Sequence, residues 1–205
     1  MDFTFRMDIM KTEDYIKILE KRLTPYRFIH SLAVADEAKR LAVKYGADAD
    51  RAYLAGLLHD IMKDAPKIEQ LEAIEKSGYK LSEVEVAEPK LWHAIAGACY
   101  IENEGLCDDS EIISAVRYHT TGKPSMTLLE KILYVADFTS AERDYDGVDI
   151  MRKAADESLE IAMFEGTRFS INSILLKCGF VHIDSILMYN ELSLKLVGYI
   201  PKIKI

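Results

Sequence analysis

The chain has 205 residues, a length that predicts one domain with a full-sized hydrophobic core. Its composition, 49% hydrophobic and 29% charged, excludes wholesale disorder and the collagen and coiled-coil classes. The net charge of −8 disfavours sequence-independent binding of a nucleic acid polymer, because the chain and the phosphate backbone repel each other on average.

The sequence carries neither a membrane span nor a recognisable targeting signal. No apolar run reaches the ~20 residues that a membrane helix needs. The N-terminal residues mix acidic with apolar side chains, unlike a signal peptide. The three cysteines, Cys99, Cys107 and Cys178, form no CxxC pair. We therefore expect a cytoplasmic protein in a reducing compartment, with no membrane partner; a homodimer is an open alternative.

Apolar residues recur at intervals of three and four, which predicts helices along most of the chain. The first predicted helix spans 12–23. The second begins with Thr24 as its N-cap and Pro25 at its first helical position, and it ends at Gly46. An all-α protein follows from this pattern.

The remaining helices are marked by caps and breakers. Asp48 is expected to cap a third helix that ends before Pro66, and Thr127 with Glu130 forms a capping box. Further helices are predicted over 67–76, 89–104, 109–119, 127–138 and 148–176, with a short one after Asp184. The single domain covers 1–205, with its core at about 12–190 and a short tail at 191–205. Within the tail, Leu196 to Ile205 is expected to be a short strand or an ordered extension.

Four ionisable side chains lie on runs that are otherwise apolar. His59 and Asp60 follow the run LAGLL, His30 lies on the apolar face of the second helix, and Asp137 follows ILYVA. Burying such a group is costly unless it is paired or binds a metal. Each has an ordinary structural explanation when taken singly, but the coincidence on three helices predicts a shared metal ion. Two imidazoles and two carboxylates suit Fe²⁺, Mn²⁺, Co²⁺ or Zn²⁺.

Cationic residues lie at helical spacing from these candidate ligands. Arg27 is three residues before His30, and Lys63 is four residues after His59, so each shares a helix face with its neighbour. Both are candidate phosphate contacts, with ordinary solvated charges as the alternative. Asp64 is expected to orient a ligand or a metal-bound water, or to form an ion pair with a lysine.

The order of His30, His59-Asp60 and Asp137 resembles the H…HD…D signature of the HD-domain metal-dependent phosphohydrolases. Within that family, four stretches resemble the YqeK-type subfamily, the symmetrical bis(5'-nucleosyl)-tetraphosphatases: RFIHSLAVADEAKRLA, AGLLHDIMKD, RYHTTGKPSMTLLEKILYVADF and ERDYDGV. The resemblance covers about 12–190 and implies an HD-domain helical bundle. It also implies cleavage of diadenosine tetraphosphate, a dinucleoside polyphosphate, into two ADP molecules.

The resemblance implies roles for individual residues and for a metal. The implied metal is iron, with one ion expected and a second allowed, held by His30, His59, Asp60 and Asp137. The implied catalytic residues are Asp60, Lys63, His93 and His119. The implied substrate contacts are Arg27, His30, Lys63, His93, His119, Asp137, Arg143, Val181 and His182. His93 and His119 would contact phosphates or a second ion, or act as the general acid.

One stretch departs from the family pattern, and two other functions stay open. In the loop GFVHID, Ile183 follows His182 where family members more often have proline. An HD-family phosphohydrolase could act on another nucleotide instead. A non-catalytic module that binds metal and nucleotide is the alternative from outside the enzymes.

Overall fold

A computed structural model describes residues 10–203, and those residues form eleven α-helices, one 3₁₀ turn (Pro89–Leu91) and no β-strand. The helices in chain order are α1 (Thr12–Arg22), α2 (Pro25–Tyr45), α3 (Ala49–Leu58), α4 (Lys67–Ser77), α5 (Glu83–Ala87), α6 (Trp92–Asn103), α7 (Ser110–Tyr118), α8 (Leu128–Thr139), α9 (Val148–Glu157), α10 (Leu159–Leu176) and α11 (Ile183–Lys195). The predicted all-α class is therefore confirmed. None of these helices is long and apolar enough to span a membrane.

Three of the predicted helix ends are formed by the expected residues. Gly46 ends α2 in the left-handed conformation at φ 77°, which a glycine adopts without a steric penalty. The Asp48 side chain accepts hydrogen bonds from two backbone amides in the first turn of α3. Thr127 and Glu130 form the reciprocal capping box of α8.

Predictions around α3 and α2 need correction. α3 ends at Leu58, so His59 is its C-cap and Asp60 lies in the turn that follows, not within a longer helix. Thr24 precedes α2, but its side chain caps no amide; its hydroxyl donates to Asp64 Oδ2 at 2.8 Å. Asp64 also accepts from the Thr24 amide, so it ties two segments together and neither orients a ligand nor pairs with a lysine among the described residues.

The C-terminal part also differs from the prediction. The single helix expected over 148–176 is two helices, because Ser158 is extended at φ −162° and its hydroxyl caps α10. α11 continues to Lys195, so the predicted core boundary at 190 falls inside a helix. The tail after α11 forms no strand up to residue 203, and Ile203 is buried as part of an ordered extension.

Two apolar clusters form the core, and α2, α3 and α7 contribute buried residues to both. One cluster also includes α8 and α10, and the other includes α1, α4 and α6. Three helix segments meet where the two clusters adjoin: the first third of α2 and the C-terminal ends of α3 and α7. These three segments carry His30, His59 and His119.

The close approach of α2 and α3 depends on Gly56. A Cβ atom at this position would lie 2.5 Å from the Ala35 Cα and 2.8 Å from the Ala35 backbone nitrogen. Since backbone atoms cannot rotate away, Gly56→Ala is expected to lower the free energy of unfolding by about 1–3 kcal/mol, as overpacking does. Urea denaturation measures the change. Gly97→Ala is the matched control because its Cβ would lie 3.4 Å or more from its neighbours. An equal loss in both variants would contradict this explanation.

Candidate metal centre and active site

Six ionisable side chains converge where the two core clusters meet. They come from five helices or the turns directly after them: His30 (α2), His59 and Asp60 (end of α3), His93 (α6), His119 (end of α7) and Asp137 (α8). The first five are at most 3% exposed. The Asp137 side chain is 22% exposed, which places it at the opening of the site.

Asp60 lies at the centre of the group, and each of its oxygens faces a pair of histidines. Its Oδ2 atom lies 3.6 Å from His59 Nε2 and 3.9 Å from His30 Nε2. Its Oδ1 atom lies 3.5 Å from His93 Nε2 and 3.6 Å from His119 Nε2. One carboxylate therefore joins two half-sites.

The ring orientation of three histidines is fixed by the backbone. The Nδ1 atoms of His59, His93 and His119 each lie 2.7 Å from the carbonyl oxygen three residues earlier in the chain. This contact assigns the ring proton to Nδ1, since a carbonyl oxygen only accepts. Each Nε2 atom then lies 3.5–3.6 Å from an Asp60 oxygen, and metal-binding histidines are commonly oriented by such a hydrogen bond from the other ring nitrogen.

His30 is oriented by a carboxylate instead of a carbonyl oxygen. Its Nδ1 atom lies 2.5 Å from Glu142 Oε1, and its Nε2 atom lies 3.1 Å from Asp137 Oδ1. Burial lowers the pKa of His30, but the hydrogen bonds to Asp137 and Glu142 outweigh burial and raise it to about 9. Sequence reasoning missed Glu142, although it stands beside Arg143 in the ERDYDGV stretch.

The surroundings fix the charges of the buried groups. Burial disfavours the charged form of Asp60, but His59, His119 and Lys63 hold the pKa of its carboxyl well below the ordinary value. Burial lowers the pKa of His59 to about 4. Burial and the nearby Lys63 also hold the pKa of His93 well below its ordinary value. His59 and His93 are therefore neutral imidazoles beside the Asp60 carboxylate anion.

This donor set fits a divalent cation. Asp60 Oδ1 is buried and accepts no hydrogen bond from the described residues, although it is one end of an anion. A buried anionic oxygen without a hydrogen-bond donor is costly, and the nearby Lys63 Nζ and the Nε2 atoms of His93 and His119 lie 3.5–3.6 Å from it, which leaves this oxygen available to a cation. Candidate ligand atoms lie within 4.8 Å of one another in three groups: His30, His59 and Asp60; His59, His119 and Asp137; and Asp60, His93 and His119.

Comparison with known proteins agrees with this geometry. The model of the HD domain matches residues 27–142, which include all six converging side chains. The chain belongs to the HD domain family. The HD-domain fold that the sequence predicted is thereby confirmed.

Similar proteins extend the match to most of the chain. The symmetrical bis(5'-nucleosyl)-tetraphosphatase of Bacillus subtilis (strain 168) is 38% identical over 185 residues, which are 89% of this chain and 98% of that protein. Its counterpart from Halalkalibacterium halodurans is 34% identical over 182 residues, 88% of this chain and 96% of that protein. A crystal structure from Clostridium acetobutylicum, described as a "predicted HD superfamily hydrolase involved in NAD metabolism", has a TM-score of 0.88 and 36% identity, covering 92% of this chain and all of that one.

Two cations of the HD domain lie beside Asp60, although residues 59–64 form a turn and not the helix from which the spacing of Lys63 was predicted. Lys63 Nζ lies 2.9 Å from His93 Nε2 and 3.6 Å from Asp60 Oδ1. Arg27 Nη1 lies 3.3 Å from Asp60 Oδ2. Both side chains are 28% exposed, so they connect the buried carboxylate with the opening of the site.

Arg143 and Thr120 complete the opening of the HD-domain site. Arg143 donates from Nη2 to the Asp137 carboxylate and from Nε to the Asp137 carbonyl oxygen at 2.8 Å. Thr120 is exposed, and its hydroxyl oxygen lies 3.2 Å from His93 Nε2 and 3.0 Å from His119 Nε2. Sequence reasoning missed Thr120, because a hydroxyl in a polar turn carries no periodic or metal-ligand signal.

His182 lies apart from the metal ligands of the HD domain. It is the N-cap of α11, its Nδ1 atom accepts from the Asp184 amide at 3.2 Å, and its Nε2 atom lies 3.5 Å from Glu85 Oε1. It lines a cavity of about 300 Å³, together with Thr120 and aromatic side chains. The neighbouring Val181 is half-buried and is not part of that lining among the described residues. The nucleotide contacts expected of this loop stay a prediction.

Proposed function

We propose that this HD-domain protein hydrolyses diadenosine tetraphosphate symmetrically, consuming one water and releasing two ADP molecules. The observation that supports this proposal most is the buried Asp60 carboxylate, which has a pair of histidines at each oxygen and cations at the opening of the site. Relatives at 34% and 38% identity over most of the chain carry the name of this activity. The net charge of −8 makes the local cations necessary for an anionic substrate.

The proposal includes a divalent metal held by the chain's own residues. His30, His59, Asp60 and Asp137 would hold the first ion, and we extend the proposal to a second ion held through Asp60, His93 and His119. Iron is the metal we propose, and the mixed nitrogen and oxygen set also suits Mn²⁺, Co²⁺ and Zn²⁺. When bound, such an ion polarises phosphoryl oxygens and lowers the pKa of a water ligand toward neutrality.

The protein side chains bind and orient the polyphosphate. Arg27, Lys63 and Arg143 are positively charged and partly exposed, so they can contact phosphoryl oxygens while the ligands below them stay buried. The general-acid role predicted for His93 is not favoured, because the lowered pKa leaves its ring neutral. We assign His93 the role of a ligand, and Lys63 supplies the hydrogen bond to a phosphoryl oxygen.

We propose that the cavity beside Thr120 receives one nucleoside of the substrate. It is lined by apolar and aromatic side chains, among them Phe169 and Phe180, and by the His182 ring. A volume of about 300 Å³ lies at the lower end of the range for small-molecule pockets. Thr120 touches both this cavity and the histidine pair, so the phosphates can extend from the cavity to the metal ligands.

Product analysis tests the proposed reaction. Protein prepared without oxygen and loaded with Fe²⁺ is incubated with diadenosine tetraphosphate, and the nucleotides are separated by chromatography. ADP as the sole product supports the proposal, whereas AMP with ATP, or inorganic phosphate, would overturn it. A nucleotide-induced rise in melting temperature without turnover, across several metals, would favour the non-catalytic module. Protein carrying Asp60→Asn controls for contaminating hydrolases.

Lys63→Ala is expected to slow turnover with the metal still bound. Its ammonium group contacts Asp60 and His93 from the opening, and removing one charge-stabilising group typically costs ~10²–10³-fold in kcat. Metal content and initial rates of ADP formation measure the two effects separately. Lys76→Ala is the control, since Lys76 is exposed and pairs with Glu104. A Lys63→Ala protein that has lost its metal, or that turns over at the unaltered rate, would contradict the assigned role.

A further inference from the structure

The loop between α8 and α9 is held through its backbone by one arginine of α9. Arg152 Nε donates to the carbonyl oxygen of Thr139 at 3.2 Å. Its Nη2 atom donates to three more carbonyl oxygens, at 2.9 Å from Ser140, 3.3 Å from Ala141 and 2.9 Å from Arg143. One guanidinium thus contacts four of the five carbonyl oxygens between residues 139 and 143.

These carbonyl oxygens need partners that the helix cannot provide. Thr139 ends α8, and the last carbonyl groups of a helix accept no hydrogen bond inside it. Ser140, Ala141 and Arg143 lie in the loop beyond the helix, where the Ser140 oxygen also accepts from the Arg143 amide at 3.1 Å. A planar guanidinium presents five N–H donors in a fixed fork, whereas an ammonium group has three donors on a flexible stem. Arg152 therefore fixes the path of the loop in a way that a lysine cannot reproduce.

The same loop carries two side chains that orient metal ligands. Glu142 Oε1 lies 2.5 Å from His30 Nδ1, and the Ser140 hydroxyl donates to the same oxygen at 2.9 Å. Arg143 donates to both the carboxylate and the carbonyl oxygen of Asp137. A shift of the loop backbone would therefore move the orienting partners of ligands on α2 and α8 together.

We infer that Arg152 is a positioning residue of the active site, which holds the loop 139–143 so that Glu142 and Arg143 meet His30 and Asp137. Among the described residues, Arg152 itself forms no hydrogen bond or ion pair with the six converging side chains. Outer partners of metal ligands typically contribute about 10–100-fold to activity or metal affinity. The expected loss of turnover rests on the proposed hydrolysis, whereas the expected change in the loop backbone does not.

The test compares Arg152→Gln and Arg152→Lys with Lys153→Gln, which removes a positive charge from the adjacent exposed residue of α9. Hydrogen exchange of the metal-free proteins is measured by mass spectrometry, and turnover is measured with Fe²⁺. We expect faster exchange confined to 140–146 in both Arg152 variants, with kcat about 10–100-fold lower. Lys153→Gln is expected to match the unaltered protein in both measurements.

Two results would overturn the inference. One is an unaltered rate of hydrogen exchange in the loop of Arg152→Lys. The other is full turnover by that variant, which would mean that only the positive charge of Arg152 matters. Should Arg152→Gln fail to fold, Arg152→Lys decides alone, since it keeps the charge and most of the stem. Should the unaltered protein not hydrolyse the tetraphosphate, the proposed function fails while the exchange measurement still decides the role of Arg152.

Discussion

Replacing Asp60 with asparagine is expected to abolish both metal binding and turnover. The two Asp60 oxygens face two separate histidine pairs, so an amide at this position removes the shared anion from both half-sites. The loss in kcat should exceed the ~10²–10³-fold cost of a single electrostatic contact. Elemental analysis of the purified protein and initial rates of ADP formation measure the two effects.

The Asp60→Asn protein should still fold. In metal-free protein the Asp60 carboxylate pairs with Arg27 and Lys63, and removing one partner of a buried ion pair is destabilising. We therefore expect a lower melting temperature without metal, with a cooperative transition retained, and loss of the melting-temperature rise that metal gives the unaltered protein. Asp50→Asn, at an exposed position paired with Lys39, is the matched control. Retained metal together with turnover in Asp60→Asn would refute the proposed centre.

Replacing His93 with glutamine is expected to remove one metal ion and most of the turnover. His93 Nε2 faces Asp60 Oδ1, and among the described residues His93 belongs only to the group formed with Asp60 and His119. The first group keeps all of its ligands in this variant, so it should still bind its ion. Metal-to-protein ratios near two in the unaltered protein and near one in His93→Gln are the expected result.

The control for His93→Gln is a variant of His182, which lines the cavity proposed to receive a nucleoside. His182→Ala should keep the metal content and raise KM more than it lowers kcat, because His182 lines the cavity and lies apart from the ligands. A single ion in the unaltered protein, or an equal metal content in His93→Gln, would refute the second half-site. The first half-site would be unaffected by that outcome.

The sequence predicted the metal-binding group because each ligand interrupts an apolar run. His30, His59, Asp60 and Asp137 could be selected only as a set, since each has an ordinary explanation alone but their coincidence on three helices predicts a shared partner. The division into two half-sites could not be predicted, because it depends on where each Asp60 oxygen points. That orientation is set by the turn after α3, which the sequence pattern had extended as a helix.

Features built on loops were missed for a different reason. Glu142 and Arg152 act through a turn whose path depends on hydrogen bonds to backbone carbonyl oxygens. Every residue has a backbone carbonyl group, so the sequence does not show which of them accept these bonds. The break at Ser158 was missed because apolar residues continue on both sides of it with helical spacing. α5 has five residues, too few to show a period, although Ser82 and Glu85 form its capping box.

The most direct test of the central claim is an anaerobic titration of metal-free protein with Fe²⁺, in which bound metal and the rate of ADP formation from diadenosine tetraphosphate are followed together. The proposal predicts no turnover without metal and a rate that rises with bound metal, reaching its maximum at two ions per chain. Turnover at the full rate by protein shown to be free of metal would contradict it.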